Sequence, residues 1–344
     1  MAQSPELDVA AFKNDFGRLM AEVAKVIVGQ HEVVEQALIA LIAGGHVLLE
    51  GVPGLGKTLL VKTMADALSL SFGRIQFTPD LMPADIVGTR VIVESDTGAK
   101  EFVFRPGPVF CHILLADEIN RATPKTQSAL LEAMQEQTVT VFGESHKLPH
   151  PFLTLATQNP MEQEGTYPLP EAQLDRFFFK VLVPRPGMAD MMDICDRTTG
   201  VAVARAQPVM DGPRLLQMRD LSRRIPVPQP VKSYAVRVVL NTQPGPDAKI
   251  PSVKQYVRYG SSPRGAQALI LAAKVRALLS GRMNVAFEDV KALAKPVLRH
   301  RTIVNFEAEA EGISSDRIIE DVLAGTREVG EEVAAIANDR RPAR

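Results

Sequence analysis

One short stretch of the chain combines the residue types and the spacing that hold phosphate groups: Gly51-Val52-Pro53-Gly54-Leu55-Gly56-Lys57-Thr58. It matches the pattern G-x-x-x-x-G-K-[ST], in which the backbone N–H groups of a glycine-rich turn surround phosphate oxygens. In this pattern the lysine reaches the β- and γ-phosphates, and the hydroxyl of Thr58 binds Mg²⁺. An apolar run precedes the stretch at residues 46–50, and apolar residues at helical spacing follow it at residues 59–68. The order of strand, turn and helix therefore predicts a site for a nucleoside triphosphate.

Two carboxylates end a second apolar run, at residues 112–118. A strand buried on both faces of a parallel sheet delivers the residues at its carboxyl end to the ligand crevice. Asp117 at this position can hold Mg²⁺ through water, and Glu118 can polarise a water for in-line attack on the γ-phosphate. An apolar run that ends in Asp-Glu also fits a strand meeting an acidic helix cap. The phosphate-binding stretch upstream favours the catalytic interpretation.

Two further segments contain candidate site residues. A third apolar run, residues 152–157, is followed by a polar residue before proline, Asn159. If this strand lies beside the other two, Asn159 can orient the attacking water, whereas by itself an asparagine before proline forms a turn. Upstream, Val28 and Gly29 interrupt a helical pattern shortly before the first strand. This turn could place backbone groups against an adenine ring, and a turn between two packed helices explains it equally well.

The composition limits the classes of protein to which the chain can belong. It has 344 residues, of which 46% are apolar and 23% are charged, as in globular proteins with a real core. Its 39 basic and 40 acidic side chains leave a net charge of −1, so no overall field favours nucleic acid. Cys111 and Cys195 form neither a disulfide framework nor a metal-binding pattern.

Membrane insertion and export are not expected either. The longest apolar stretch, residues 37–49, is broken by Gly44 and Gly45 and is shorter than the about 20 residues that a bilayer requires. Residues 1–6 lack the basic and apolar regions of a signal peptide. We therefore expect a cytoplasmic protein.

The order of the elements predicts two domains. Strands alternate with helices in the first half and helices alone follow, which indicates an α/β domain and then an all-α domain. We expect a nucleotide-binding domain at residues 1–190, a linker at 191–225, and a helical lid domain with a tail at 226–344. Two predicted β-hairpins interrupt the first domain, one around Asp96-Thr97-Gly98 and one between residues 137 and 148.

Taken together, these stretches resemble an AAA+ ATPase of the MoxR family from about residue 26 to residue 300. The likeness is most specific in segments 117–122 and 129–136, together with Gln127, and in segments 156–160, 170–177, 288–290 and 297–301. By that resemblance Arg176 is an arginine finger that reaches the γ-phosphate held by a neighbouring subunit. Arg264, which follows the predicted helix cap Ser262, resembles the sensor 2 arginine of the lid. The family usually shows alanine after that arginine, where this chain has Gly265.

The resemblance implies a fold and a function. The fold is an AAA+ P-loop core with a parallel sheet and two β-hairpin inserts, followed by a small all-α lid. The function is that of an ATP- and Mg²⁺-dependent ring, usually a hexamer, which acts as a chaperone-like remodeller. Such proteins commonly work with partners that carry von Willebrand factor A-type domains, in maturation or in metal insertion.

Three other readings stay open from the sequence. A magnesium-chelatase motor subunit shares this core but pairs with a porphyrin-binding partner, so the identity of the partner distinguishes it. A helicase or translocase shares the inserts, yet the hairpins are not strongly basic, with Arg90, Lys100 and Lys147 against Glu94, Asp96, Glu101 and Glu144. A nucleotide-gated scaffold without turnover is the third, and Glu118 argues against it.

Overall fold

A computed structural model of the chain describes residues 8–94, 100–160, 165–200 and 204–328. These residues form two compact units, one within 15–217 and a second that joins 8–14 to 218–328. The division crosses two helices, α1 (Val9–Ala24) near the start of the chain and α8 (Gly212–Arg224) near its middle. The predicted linker, residues 191–225, contains α8 and most of α7 (Met188–Thr199), and the domain limits given above stay a prediction.

The larger unit begins inside helix α1 (Val9–Ala24). The elements that follow are α2 (His31–Ala43), β1 (Val47–Glu50), α3 (Lys57–Ala67), β2 (Phe72–Gln76), α4 (Pro83–Val87), β3 (Gly88–Glu94), β4 (Lys100–Pro106), β5 (Ile113–Asp117), a 3₁₀ helix (Ile119–Arg121), α5 (Pro124–Glu136), β6 (Thr138–Val141), β7 (Glu144–Lys147), β8 (Leu153–Gln158), α6 (Glu171–Leu174), β9 (Phe179–Leu182) and α7 (Met188–Thr199).

Five parallel strands form the central sheet in the order β2-β5-β8-β1-β9. Every residue of β5 is buried, as is β8 up to Thr157, because both faces of the sheet are covered. The register pairs Leu115 of β5 with Leu155 of β8, and Leu155 in turn with Val47 of β1. Because the strands are parallel, the carboxyl ends of β1, β8 and β5 lie side by side at the same end of the sheet. The predicted α/β fold is confirmed.

Both predicted hairpins are present as separate two-stranded sheets. Strands β3 and β4 pair from Gly88 opposite Pro106 to Glu94 opposite Lys100, and the predicted turn Asp96-Thr97-Gly98 between them lies outside the described residues. Strands β6 and β7 pair from Thr138 to Val141. Packing beneath them comes from a core cluster that includes Phe77, Leu114, Leu130 and Phe177.

The smaller unit is helical, as predicted, with one short antiparallel pair of strands that the sequence did not suggest. Its elements are α8 (Gly212–Arg224, shared with the larger unit), α9 (Gln229–Leu240), α10 (Pro251–Tyr256), β10 (Val257–Tyr259), α11 (Pro263–Leu279), α12 (Phe287–Leu298), β11 (Ile303–Val304), α13 (Phe306–Glu311) and α14 (Ser315–Gly325).

Helix α11 begins as expected, because the Ser262 side chain accepts a hydrogen bond from the Arg264 backbone N–H at 3.1 Å and Pro263 follows the cap. In the described ranges, no helix is both long enough and apolar enough to cross a bilayer.

Candidate functional site

The predicted phosphate-binding stretch forms the turn between β1 and α3. Its backbone turns through left-handed conformations at Gly54 (φ 82°) and Gly56 (φ 74°), which favour glycine. A Cβ atom at either position would have no heavy atom within 4 Å, so the requirement for glycine comes from the backbone angle. Helix α3 begins at Lys57, whose ammonium donates to the carbonyl oxygens of Gly51 and, at 3.3 Å, Val52. The loop therefore combines an open surface of backbone amides, a helix N-terminus and a cation.

Asp117 and Glu118 follow at the end of β5, two positions across the sheet from β1. Thr157 on the intervening strand β8 contacts both residues. Its hydroxyl donates to Oδ1 of Asp117 at 2.7 Å and accepts the backbone N–H of Glu118 at 2.8 Å. Glu118 itself has a left-handed backbone (φ 56°), an unusual conformation for a residue with a Cβ atom. The buried Thr157 hydroxyl thus supports the bend that turns the chain after the acidic pair.

Strand β2, beside β5, contributes two polar side chains that the sequence did not identify. The Arg74 guanidinium donates to Oδ2 of Asp117 from Nη2 at 2.8 Å and from Nε at 3.3 Å. The Gln76 amide donates to Oε2 of Glu118 at 2.8 Å, and Arg121 donates to the same oxygen at 3.0 Å. Nη2 of Arg74 also donates to Oε1 of Gln76 at 2.8 Å, which orients the glutamine amide towards Glu118. Both carboxylates are therefore held by hydrogen bonds on their exposed side.

Four predicted residues, Lys57, Asp117, Glu118 and Asn159, follow or end strands at the carboxyl end of the sheet. Asn159 is buried and follows β8, which lies between β1, the strand before Lys57, and β5, the strand before Glu118. Arg264 belongs to the smaller unit, at the start of α11.

Arg176 lies elsewhere in the larger unit, after helix α6. Its Nη1 donates to the Leu131 carbonyl oxygen of α5 at 2.9 Å. Around it is a polar cavity of about 190 Å³, lined also by Ser128, Glu132, Gln135, Glu136 and Gln173. The structure therefore docks Arg176 on α5.

A second, mostly apolar cavity of about 380 Å³ adjoins the phosphate-binding loop. One wall is the predicted turn with Val28, which is tied to the loop because Gln30 donates to the Leu55 carbonyl oxygen at 2.8 Å. Gly29 in this turn has φ 69°, and a Cβ atom there would lie 2.4 Å from the carboxylate carbon of Asp190. The opposite wall comes from the segment after β9: Arg185, Pro186, Met191, Ile194, Arg197 and Thr198. A purine ring joined to phosphates in the loop fits this cavity by position and by polarity.

Sequence reasoning missed this opposite wall for a physical reason. Met191 and Ile194 are apolar residues at helical spacing, the same signal that a residue packed in a core gives. Arg197 has its charge satisfied locally, since it forms two hydrogen bonds with Asp193 at 2.7 Å and donates to the carbonyl oxygens of Ala24 and Lys25. Its guanidinium thereby holds α7 against the end of α1.

The residues present fit a nucleotide with Mg²⁺. The loop offers backbone donors without side chains at its two left-handed glycines, and Thr58 and Asp117 supply the oxygen ligands that Mg²⁺ prefers. Among the described residues, no group of three or more His, Cys, Asp or Glu side chains is gathered to hold a metal by itself. A Mg²⁺ ion here would therefore share its coordination between these protein oxygens and the phosphates.

The bridging role of Thr157 leads to a prediction. Replacing it with valine keeps the shape but leaves an oxygen of Asp117 and the N–H of Glu118 without their partner, in a buried position. We expect this change to lower the free energy of unfolding by about 1–3 kcal/mol. Thr157→Ser, which keeps the hydroxyl, should restore native stability. Urea unfolding of the two variants tests this, and native stability in Thr157→Val would contradict it.

Comparison with known proteins relates both units to one group. Residues 46–179 match the family described as ATPase family associated with various cellular activities (AAA), and residues 252–322 match the AAA lid domain. The chain is 44% identical over 315 residues to a Mycobacterium tuberculosis protein named Chaperone MoxR1, covering 92% of this chain and 82% of that relative. It is 32% identical over 306 residues to Protein MoxR of Methylorubrum extorquens, covering 83% and 87%.

A solved structure is similar over nearly the whole length. The crystal structure of a protein from Cytophaga hutchinsonii has a TM-score of 0.86 and 40% sequence identity to this chain. The match covers 94% of this chain and 97% of that one.

Proposed function

Because this chain belongs to the MoxR family of AAA+ ATPases, we propose that it binds ATP with Mg²⁺ and hydrolyses it. One observation carries the proposal: the ends of three adjacent strands present the phosphate-binding loop, Asn159 and the acidic pair Asp117 and Glu118. Phosphoryl transfer to water requires little covalent chemistry from a protein. Residues that position the phosphates and the water, and that stabilise the developing charge, therefore account for most of the catalysis.

The chain's own residues divide the task. Backbone amides of the loop and Lys57 hold the phosphates, while Thr58 and Asp117 hold the metal. Glu118 accepts a proton from the attacking water, and the amide of Asn159 orients that water. When bound, Mg²⁺ neutralises negative charge on the β- and γ-phosphate oxygens. The turn at Val28 and Gly29, with the facing residues of α7, holds the adenine ring.

A charge from a second copy of the chain completes the site in this proposal. Arg176 lines the polar cavity on α5 and not the cavity beside the phosphate-binding loop of its own chain, which supports a role towards a neighbour. We propose that the chain assembles as a homo-oligomer, a ring of six copies, in which Arg176 reaches the γ-phosphate of the adjacent subunit. Arg264, at the start of α11, is the proposed sensor 2 arginine of the lid.

The ring acts in the cytoplasm as a chaperone-like remodeller of a protein partner. Exposed apolar side chains on the first hairpin support a protein client, since Ile92 (60% exposed) faces Phe102 (71% exposed) across β3 and β4. The balance of charges on the hairpins gives no support for nucleic acid. A partner with a von Willebrand factor A-type domain is the proposed client, and its maturation or the insertion of a metal or cofactor is the proposed outcome.

Affinity capture tests the proposed client. The Glu118→Gln chain, tagged and loaded with ATP, should retain a protein with a von Willebrand factor A-type domain, because blocked hydrolysis prolongs the ATP-bound complex. Lys57→Ala, which should lose ATP, is the matched control and should retain much less. Equal recovery on both variants would contradict a nucleotide-dependent client. Recovery of a porphyrin-binding protein instead would identify a magnesium-chelatase-like motor.

A further inference from the structure

Arg74 is a basic residue at the candidate metal site to which the proposed hydrolysis assigns no role. It lies on β2 in register with Leu115, and Gln76 lies in register with Asp117. Because side chains two positions apart on a strand share a face, Arg74 and Gln76 point to the same side of the sheet, while Ile75 is buried on the other. Arg74 is thereby set beside the acidic pair by the strand itself.

Both carboxylate oxygens of Asp117 accept hydrogen bonds from protein donors. Oδ1 accepts the Thr157 hydroxyl at 2.7 Å, and Oδ2 accepts two N–H groups of Arg74 at 2.8 and 3.3 Å. Arg74 thus forms an ion pair with this carboxylate. A Mg²⁺ ion, held directly or through its water shell, draws on the same negative charge and is repelled by a guanidinium in hydrogen-bonding contact with it.

The two partners of Asp117 differ in their freedom to move. Thr157 is fully buried on the central strand β8, whereas the Arg74 side chain is 48% exposed at the edge strand β2. The Asp117 side chain is only 12% exposed and stays in place, whereas the exposed guanidinium can move into water, where its charge is solvated, when another cation approaches the carboxylate.

We propose that Arg74 competes with Mg²⁺ for Asp117 and so sets the Mg²⁺ concentration at which the metal–nucleotide complex forms. The inference rests on the proposed ATP site and adds a residue that tunes its metal affinity. It gives β2 a function in addition to pairing with β5. The guanidinium holds Oδ2, and a Mg²⁺ ion held by Thr58, Asp117 and the nucleotide phosphates would have to displace it.

The test is a Mg²⁺ titration of nucleotide binding without turnover. A fluorescent ADP analogue is bound to the full chain while Mg²⁺ is raised, and the Mg²⁺ concentration at half-saturation is recorded. Arg74→Gln removes the charge, keeps a polar side chain, and should lower that concentration by about three- to tenfold. Arg74→Lys keeps the charge but cannot donate from two guanidinium nitrogens at once. Its half-saturating Mg²⁺ concentration should lie between those of Arg74→Gln and the native chain. Thermal unfolding of each variant confirms that the fold is retained.

A matched control separates competition from a general loss of positive charge. Arg121→Ala removes a cation bonded to Glu118, the neighbour of Asp117, and should change the half-saturating Mg²⁺ concentration less than Arg74→Gln does. If the half-saturating Mg²⁺ concentration of Arg74→Gln is unchanged or higher, or if Arg121→Ala lowers it equally, the inference about Arg74 is wrong and the proposed function is unaffected. A native chain whose nucleotide binding shows no dependence on Mg²⁺ overturns the proposed function and the inference together.

Discussion

Replacing Arg176 with alanine is expected to lower ATP turnover by about 10³- to 10⁵-fold, the range by which a trans arginine accelerates related nucleotide hydrolases. The arginine stabilises charge that develops on the transferring phosphoryl group, and water cannot supply an equivalent fixed charge. Nucleotide affinity of the same variant should remain near the native value, because Arg176 is docked on α5 through Leu131 and each chain keeps its own phosphate-binding loop. Turnover and equilibrium binding of a fluorescent ATP analogue measure the two effects.

Mixing two inactive variants tests whether Arg176 acts between subunits. Arg176→Ala keeps Lys57, and Lys57→Ala keeps Arg176, so a mixed interface can contain one intact loop and one intact finger. We expect partial recovery of turnover when one variant is titrated into the other. An arginine acting within its own chain predicts no recovery, since neither chain has both groups. Absence of recovery at every ratio, with mixed assemblies verified, would count against the trans role.

Dependence on assembly provides a control for this experiment. If the finger acts in trans, turnover per native chain should rise with protein concentration, and nucleotide should promote the larger species in sedimentation. A monomer with full activity would exclude the arrangement.

Glu118→Gln should have the second large effect, a loss of about 10²- to 10⁴-fold in turnover with ATP binding retained. The glutamine keeps the size of the side chain and can still accept from Gln76 and Arg121, so the fold around it should persist. It cannot accept the proton of the attacking water. The variant therefore separates chemistry from binding.

Lys57→Ala is the complementary variant. Removing the ammonium from the loop should weaken ATP binding by about 10- to 100-fold, because charge-assisted hydrogen bonds to phosphate are lost. Lys62→Ala, on the same helix and exposed, is the matched control and should bind ATP as the native chain does.

The strand ends that form this candidate site were predictable because their signals are local. The loop motif lies between an apolar run and a helical pattern, and the acidic pair directly follows a run that is apolar throughout. Parallel pairing then brings these ends to one edge, whatever the details of the rest of the fold. The hairpins were predictable in the same way, from two strand-like runs around a turn.

Contacts between strands that are distant in sequence were not predictable. Arg74 and Gln76 read as ordinary polar positions of an alternating strand, and only the neighbouring position of β2 and β5 brings them to Asp117 and Glu118. The contacts of Thr157 were not predictable either, since a threonine in a buried strand is also explained by β propensity. The order of strands in the sheet, which gives these residues their partners, is a property of tertiary packing.

The central claim is that Glu118 activates water at a site that binds ATP independently of it. The most direct measurement is a single-turnover reaction of the Glu118→Gln chain with labelled ATP in excess Mg²⁺, following bound ATP and released phosphate together. We predict that ATP binds at near-native affinity and remains intact long after the native chain has converted it to ADP. Release of phosphate at the native rate from the Glu118→Gln chain would contradict the account.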